Sequence, residues 1–163
     1  MSSTEYCGLS SSFKDRPVVC LFCNCCTSCI CDRGVRARLV AKADANEEYF
    51  STDLPSGARL RLVNAEYVTG NCLCRLRDVA CQACGSIVGY HVLKACRPCL
   101  RASHNGHYWI FKPGAVYAQE RLVYEGDRGV DVMSWRIILG QDATRSDKDV
   151  SDDDDDDYAG WCR

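Results

Sequence analysis

The chain has 163 residues, of which 47% are apolar and 26% charged, enough for one domain with a real core and too little for two. Its formal net charge of −2 hides a segregation: Asp147, Asp149 and Asp152 to Asp157 crowd the end, while the residues before them carry 18 Lys and Arg against 14 Asp and Glu. Those basic residues are scattered, which argues against the concentrated face of a nucleic-acid binder. The 14 cysteines dominate the composition and admit a disulfide framework, a metal site or redox chemistry.

Met1 to Glu5 lack a basic leader, and no apolar stretch reaches the roughly 18 residues of a membrane span. An intracellular site, cytoplasm and/or nucleus, is therefore expected, with no membrane association. Thiols stay reduced there, so paired cysteines read as zinc ligands.

In chain order, residues 1–11 are Ser-rich and expected to be disordered. Val18 to Phe22 read as a strand entering a cysteine knuckle, and Val35 to Ala41 alternate apolar with basic residues as a half-buried strand does. Pro55-Ser56-Gly57 is a turn, and Ala58 to Val63 alternate again. Further strands are expected at Cys72–Leu76, Ile87–Leu93, His107–Phe111 and Val130–Leu139, with one short helix over Ala115–Val123. Many short strands between Gly, Pro and Asn turns predict a mostly β, antiparallel fold. The expected domain spans 12–140, and the Asp-rich stretch 141–163 is expected to be a disordered acidic C-terminal tail, because it has little apolar surface to bury.

Two knuckles carry the chemistry. In Cys23-Asn24-Cys25-Cys26 and Cys81-Gln82-Ala83-Cys84-Gly85 the Cys-x-x-Cys spacing lets two thiolates face one ion, and two such turns complete a closed tetrahedral site for Zn2+. Gly85 suits a knuckle that turns through positive φ after its second ligand. Spacing alone leaves the first register open, since Cys26 and Cys29 are also a legal pair. Cys96-Arg97-Pro98-Cys99 repeats the spacing, and a second site is expected from Cys96 and Cys99 with His107 and one of Cys72 or Cys74. The alternative is that these are buried thiols acting as small hydrophobes. His107 taken alone, and His91, read as packed histidines.

Ser12-Phe13-Lys14-Asp15-Arg16, Phe50-Ser51-Thr52-Asp53-Leu54-Pro55, Cys81 to Val92 and Asn105-Gly106-His107-Tyr108-Trp109-Ile110-Phe111 occur in an order and spacing that resemble the Ugene proteins, the family with sequence similarity 72, over about Ser12 to Trp135. The resemblance implies a zinc-stapled, two-sheet β-tent of the Yippee type, like the cereblon and methionine sulfoxide reductase B zinc domains. It aligns the family's first knuckle with Cys23 and Cys26. It also implies an adaptor that binds and lowers a uracil-DNA glycosylase. Pro17 and Ser103 stand where the family pattern has cysteine, and Cys20, Cys25, Cys29 and Cys31 are additional.

Three functions compete. Redox catalysis of the methionine sulfoxide reductase type needs an accessible, acidic thiol; Cys72, Cys74 and Cys162 are spare, yet none has a catalytic His and carboxylate pattern around it. Arg36, Arg38, Arg59 and Arg61 sit at alternate strand positions but lack the interleaved aromatics of a nucleic-acid platform. A protein-binding role without catalysis or small-molecule substrate is expected, with Trp135, Trp109 and Tyr90 as partner-binding residues, since such aromatics anchor interfaces.

Overall fold

The computed structural model describes residues 11–37, 47–102 and 106–146. Strands β1 (Val19–Cys23), β2 (Cys29–Ala37), β3 (Tyr49–Thr52), β4 (Leu60–Val68), β5 (Arg75–Cys81), β6 (Ile87–Lys94), β7 (Trp109–Phe111) and β8 (Val116–Glu120) hydrogen-bond in the order β4-β5-β6-β7-β3-β2-β1-β8, and each of these pairings is antiparallel. A separate hairpin joins β9 (Leu122–Tyr124) to β10 (Val130–Val132). Three α-helices accompany them among the described residues, α1 (Ser11–Lys14), α2 (Arg97–Ala102) and α3 (Trp135–Ser146), with a 3-10 turn at Gly126–Arg128. The fold is thus mostly β and antiparallel, as the turn-punctuated strand pattern predicts.

The strand order makes the sheet bend over on itself. Between β5 and β1 lie five strand spacings, roughly 24 Å if flat, yet Cys84 beyond β5 and Cys23 at the end of β1 bring their sulfurs to 3.6 Å. The handover occurs in β2, which pairs with β1 over Cys29–Gly34 and with β3 over Val35–Ala37. The two halves therefore face each other across one core. Every one of the eight strands contributes to it, with Leu21, Ile30, Phe50, Leu60, Val79, Val88, Phe111 and Val116 among its buried members. Such burial of alternate strand residues supplies the main drive for folding.

Closeness of approach in this core is set at Gly89. A Cβ there would lie 1.9 Å from the Ile110 carbonyl oxygen, so the β6–β7 pairing requires glycine.

A second core lies where the chain's two described ends meet. Phe13 of α1, Val18, Val35, Met133, and Trp135 and Ile138 of α3 pack together. Arg33 closes its rim. The guanidinium donates to both carboxylate oxygens of Asp53 (3.0 and 2.8 Å), donates to Asp142 of α3 (2.8 Å), and lies over the Trp135 ring at 5.6 Å.

Several expectations need correction. Val130–Leu139 is not one strand: β10 ends at Val132, and from Trp135 the chain is helical. Ile137 and Ile138, which read as strand, instead fall on α3 and pack inward as helix neighbours. The helix expected over Ala115–Val123 is β8 running into β9, whose residues pair with β1 and β10. Residues 141–146, expected in the tail, continue α3, because Asp142 is held by Arg33. Strand β3 shows no apolar–polar alternation, all four of its residues being buried. The expected strand residues 38–41, the N-terminal stretch 1–10 and the tail from 147 onward lie outside the described residues.

Candidate metal centre

The two knuckles are the turns of two hairpins, and they are built alike. Between β1 and β2, Thr27 N–H donates to the Cys23 carbonyl (2.8 Å) and Cys23 N–H to the Ser28 carbonyl (2.9 Å); between β5 and β6, Gly85 donates to Cys81 and Cys81 to Ser86, both at 2.9 Å. The residue after each second cysteine is left-handed, Thr27 at φ 59° and Gly85 at φ 76°. Neighbouring segments fix each turn: Asn24 Nδ2 donates to the Gly114 carbonyl (2.7 Å), and Gln82 N–H donates to the Arg59 carbonyl (2.9 Å).

Folding the sheet over sets these turns face to face, and the sulfurs of Cys23, Cys26, Cys81 and Cys84 all lie within 4.8 Å of one another. Cys23 approaches Cys84 at 3.6 Å and Cys26 approaches Cys81 at 3.7 Å. Thiolates about 2.3 Å from a tetrahedral zinc stand about 3.8 Å apart, so four sulfurs at this spacing fit that ion. The first cysteine of each turn is buried in the core, whereas Cys26 is half-buried and Cys84 exposed. Burial pushes the Cys23 thiol up to about 12 and raises Cys81. The hydrogen bond with the Ser28 side chain lowers Cys26, and that with Ser86 lowers Cys84 to about 6. Hydrogen bonding thus favours the thiolates of Cys26 and Cys84 and burial the thiols of Cys23 and Cys81, which a divalent cation would deprotonate.

Cys72, Cys74, Cys96 and Cys99 form a second cluster, again with all four sulfurs within 4.8 Å. Cys72 and Cys74 come from the approach to β5, and Cys96 and Cys99 from the exit of β6 and from α2. Cys74 Sγ lies 3.6 Å from Cys96 Sγ and accepts the Cys96 N–H at 3.3 Å. Its bond to Thr69 lowers Cys72 to about 7, and hydrogen bonding by its neighbour Cys96 raises Cys99. The donor set and spacing fit zinc as the first cluster does. The two centres occupy opposite ends of the β5–β6 hairpin.

His107 is not one of the second cluster's members, contrary to expectation. It is buried beside Phe13 and Trp135, with Nδ1 hydrogen-bonded to Ser51 Oγ at 3.1 Å. Both Cys72 and Cys74 take part, where one had been expected, because the single residue between them leaves both thiols free to turn the same way. Cys72 and Cys74, spare in the sequence, are thus two of the four sulfurs of this cluster. His91 is half-buried and stacks on Trp109 at 4.1 Å.

The expected interface aromatics divide. Trp135 is fully buried, so it is a core residue and offers no surface to a partner. Trp109 and Tyr90 are half-buried on β7 and β6. Exposed Arg36 pairs with Glu48, Arg59 donates to Cys29 Sγ at 3.2 Å, and Arg38 and Cys162 lie outside the described residues. Sequence reading missed the exposed apolar residues Leu122, Tyr124 and Val130. Their alternate spacing on either side of a Gly-Asp-Arg-Gly turn was the available signal.

Two facing Cys-x-x-Cys turns on a folded-over antiparallel sheet, four thiolates between them, define a zinc-stapled β module. The family model described as Yippee homolog 2 zinc finger protein matches residues 10–159, and the chain belongs to that family. No solved structure matches the chain. Among the described residues no helix is long and apolar enough to cross a membrane.

Proposed function

We propose that this protein is an intracellular, zinc-stabilised adaptor that docks onto another protein and performs no catalytic step. The observation that carries this reading is the outer face of the β9–β10 hairpin. Leu122, Tyr124 and Val130 are 60, 73 and 65% exposed, and the Val130–Tyr124 and Val132–Leu122 register sets them side by side. An apolar surface of this kind on a rigid scaffold is characteristic of a protein-binding site. The donor sets support the absence of catalysis, since four thiolates saturate a zinc and leave no position for substrate or water.

Resemblance to the Ugene proteins supplies the partner, a uracil-DNA glycosylase whose level or activity the adaptor lowers, and so a role in regulating DNA repair. Calorimetry with the purified full chain and the host's own glycosylase tests this directly. Binding at micromolar concentrations is expected, weakened at least tenfold in Tyr124→Asp, consistent with hot-spot losses of about 2 kcal/mol. No binding would remove the glycosylase as partner, and undiminished binding by the variant would remove the hairpin as the surface. Turnover of methionine sulfoxide by the zinc-loaded protein would overturn the non-catalytic assignment.

A further inference from the structure

The second thiol cluster is ringed by apolar side chains that have no cover among the described residues. Leu73, between two of the cluster's cysteines, is 81% exposed; Val68, Leu93 and Leu100 are 55, 38 and 42% exposed. They are brought together by the same contacts that build the cluster: Val68 pairs with Arg75, Arg75 with Lys94, and Cys74 meets Cys96. Leu100 follows Cys99 directly on α2.

This rim is also positively charged. Lys94, Arg97 and Arg101 are exposed and form no ion pair among the described residues. The acids on the adjoining strands are already engaged, Glu66 with Arg75, and Asp78 with Asn64 and Tyr67. An apolar surface beside unpaired cations suits a peptide that offers carboxylates next to bulky apolar groups. A nucleic-acid strand would satisfy the charge and leave the leucines exposed.

The chain contains such a peptide. Beyond Ser146 it continues with Asp147, Asp149 and the run Asp152–Asp157, followed at once by Tyr158 and then Trp161. Those residues, 147–163, span up to roughly 55 Å when extended, ample for reaching across a domain of this size. Tethering also gives them an effective concentration of about a millimolar.

We propose that the C-terminal segment 147–163 docks on the rim of the second cluster, its aspartates against Lys94, Arg97 and Arg101 and its aromatics against Leu73 and Leu100. This goes beyond the adaptor reading and does not depend on the partner's identity. Zinc at the cluster would hold both halves of the rim in place, so docking and metal loading are linked.

The test uses the zinc-loaded, 15N-labelled full chain and two variants, Arg97→Glu/Arg101→Glu and one in which each of Asp152 to Asp157 is replaced by Asn. At low salt the Trp161 indole resonance of the wild type is expected to stand away from its position in the arginine variant. The Leu73 and Leu100 amides are expected to shift in the Asn variant, whose changes lie outside the described residues. Raising NaCl to about 0.5 M should bring wild type and variants together, as screening of exposed charges requires. Equal zinc content in all three excludes loss of the site as the cause. Identical Trp161 positions in wild type and arginine variant at low salt would overturn the proposal, and so would a shift that disappears on dilution, which would assign the docked segment to a second copy of the chain.

Discussion

At the scale of single residues, the two knuckles differ at one informative position. Gly85 adopts its left-handed turn without cost, but Thr27 is β-branched and holds φ 59° in the equivalent place. Thr27→Gly is expected to stabilise the zinc-loaded protein by about 1 kcal/mol in denaturant titration, the scale of the relieved strain less the added chain entropy. Trp135, with no exposed surface and its indole Nε1 lacking an acceptor, behaves oppositely. Trp135→Arg should lower stability by about 3 kcal/mol or more by burying an unpaired charge and emptying the second core; a variant that keeps its thermal midpoint would refute this placement. His107 carries a pH dependence. Burial depresses it to about 4 from an ordinary 6.5, so between those values the unfolded chain binds the extra proton. Stability is therefore full above about pH 6.5 and falls as the pH drops towards 4, by about 2 kcal/mol. At matched free zinc, His107→Gln should flatten that slope in denaturation curves taken across the window.

At the scale of elements, much of the strand pattern and the second Cys-x-x-Cys turn were legible because their signals are local. Alternation over Ala58–Val63 found β4, and the Cys-x-x-Cys spacing with Gly85 found the turn of Cys81 and Cys84; for the first turn spacing left Cys23–Cys26 and Cys26–Cys29 both open, and the family resemblance chose between them. The start of α3 was hidden because Val130–Leu139 is largely apolar and looks continuous; Ser134, a residue type that favours a helix N-cap, was the missed mark. His107 is the packed histidine it reads as when taken alone, and its expected share in the second cluster failed for a different reason. Only eight positions separate it from Cys99 in sequence, but the chain leading into β7 sets it beside Phe13 and Ser51. Proximity in sequence does not report on which side of a sheet a residue emerges. The β6–β7 contact offers a sharp element-level check: Gly89→Ala has to push β7, through its Ile110 carbonyl, away from β6, and a loss of about 3 kcal/mol or failure to fold is expected by thermal denaturation.

At the scale of the whole molecule, the chain's two described ends share a core, so the C-terminal boundary of the domain is set by Arg33 and not by composition. Composition changes after Gly140, yet Asp142 is tied to Arg33 at 2.8 Å. Ending the chain at Gly140 should cost about 1 kcal/mol relative to ending it at Ser146, the worth of a partly exposed, charge-assisted bridge. Equal thermal midpoints for the two truncation products would mean that the Arg33–Asp142 bridge does not set the boundary. The second cluster's placement has the same whole-molecule character: four cysteines from two segments meet only because β5 and β6 are antiparallel and of similar length.

That placement decides how the molecule comes apart. A hairpin ordinarily frays from its open end, where the last strand pairs are tethered by nothing beyond them. In the β5–β6 hairpin, zinc in the two centres would clamp the turn end through Cys81 and Cys84 and the open end through Cys74 and Cys96. With both ends pinned, it cannot unzip residue by residue. Its amide protons can reach solvent only when a clamp releases or the entire sheet opens, so the ladder between Arg75 and Cys81 becomes the last part of the molecule to exchange. Metal at the outer cluster then acts as a latch on the protein's most persistent structure: stripping it would free one end and restore ordinary fraying, while the inner clamp and the core behind it stay closed.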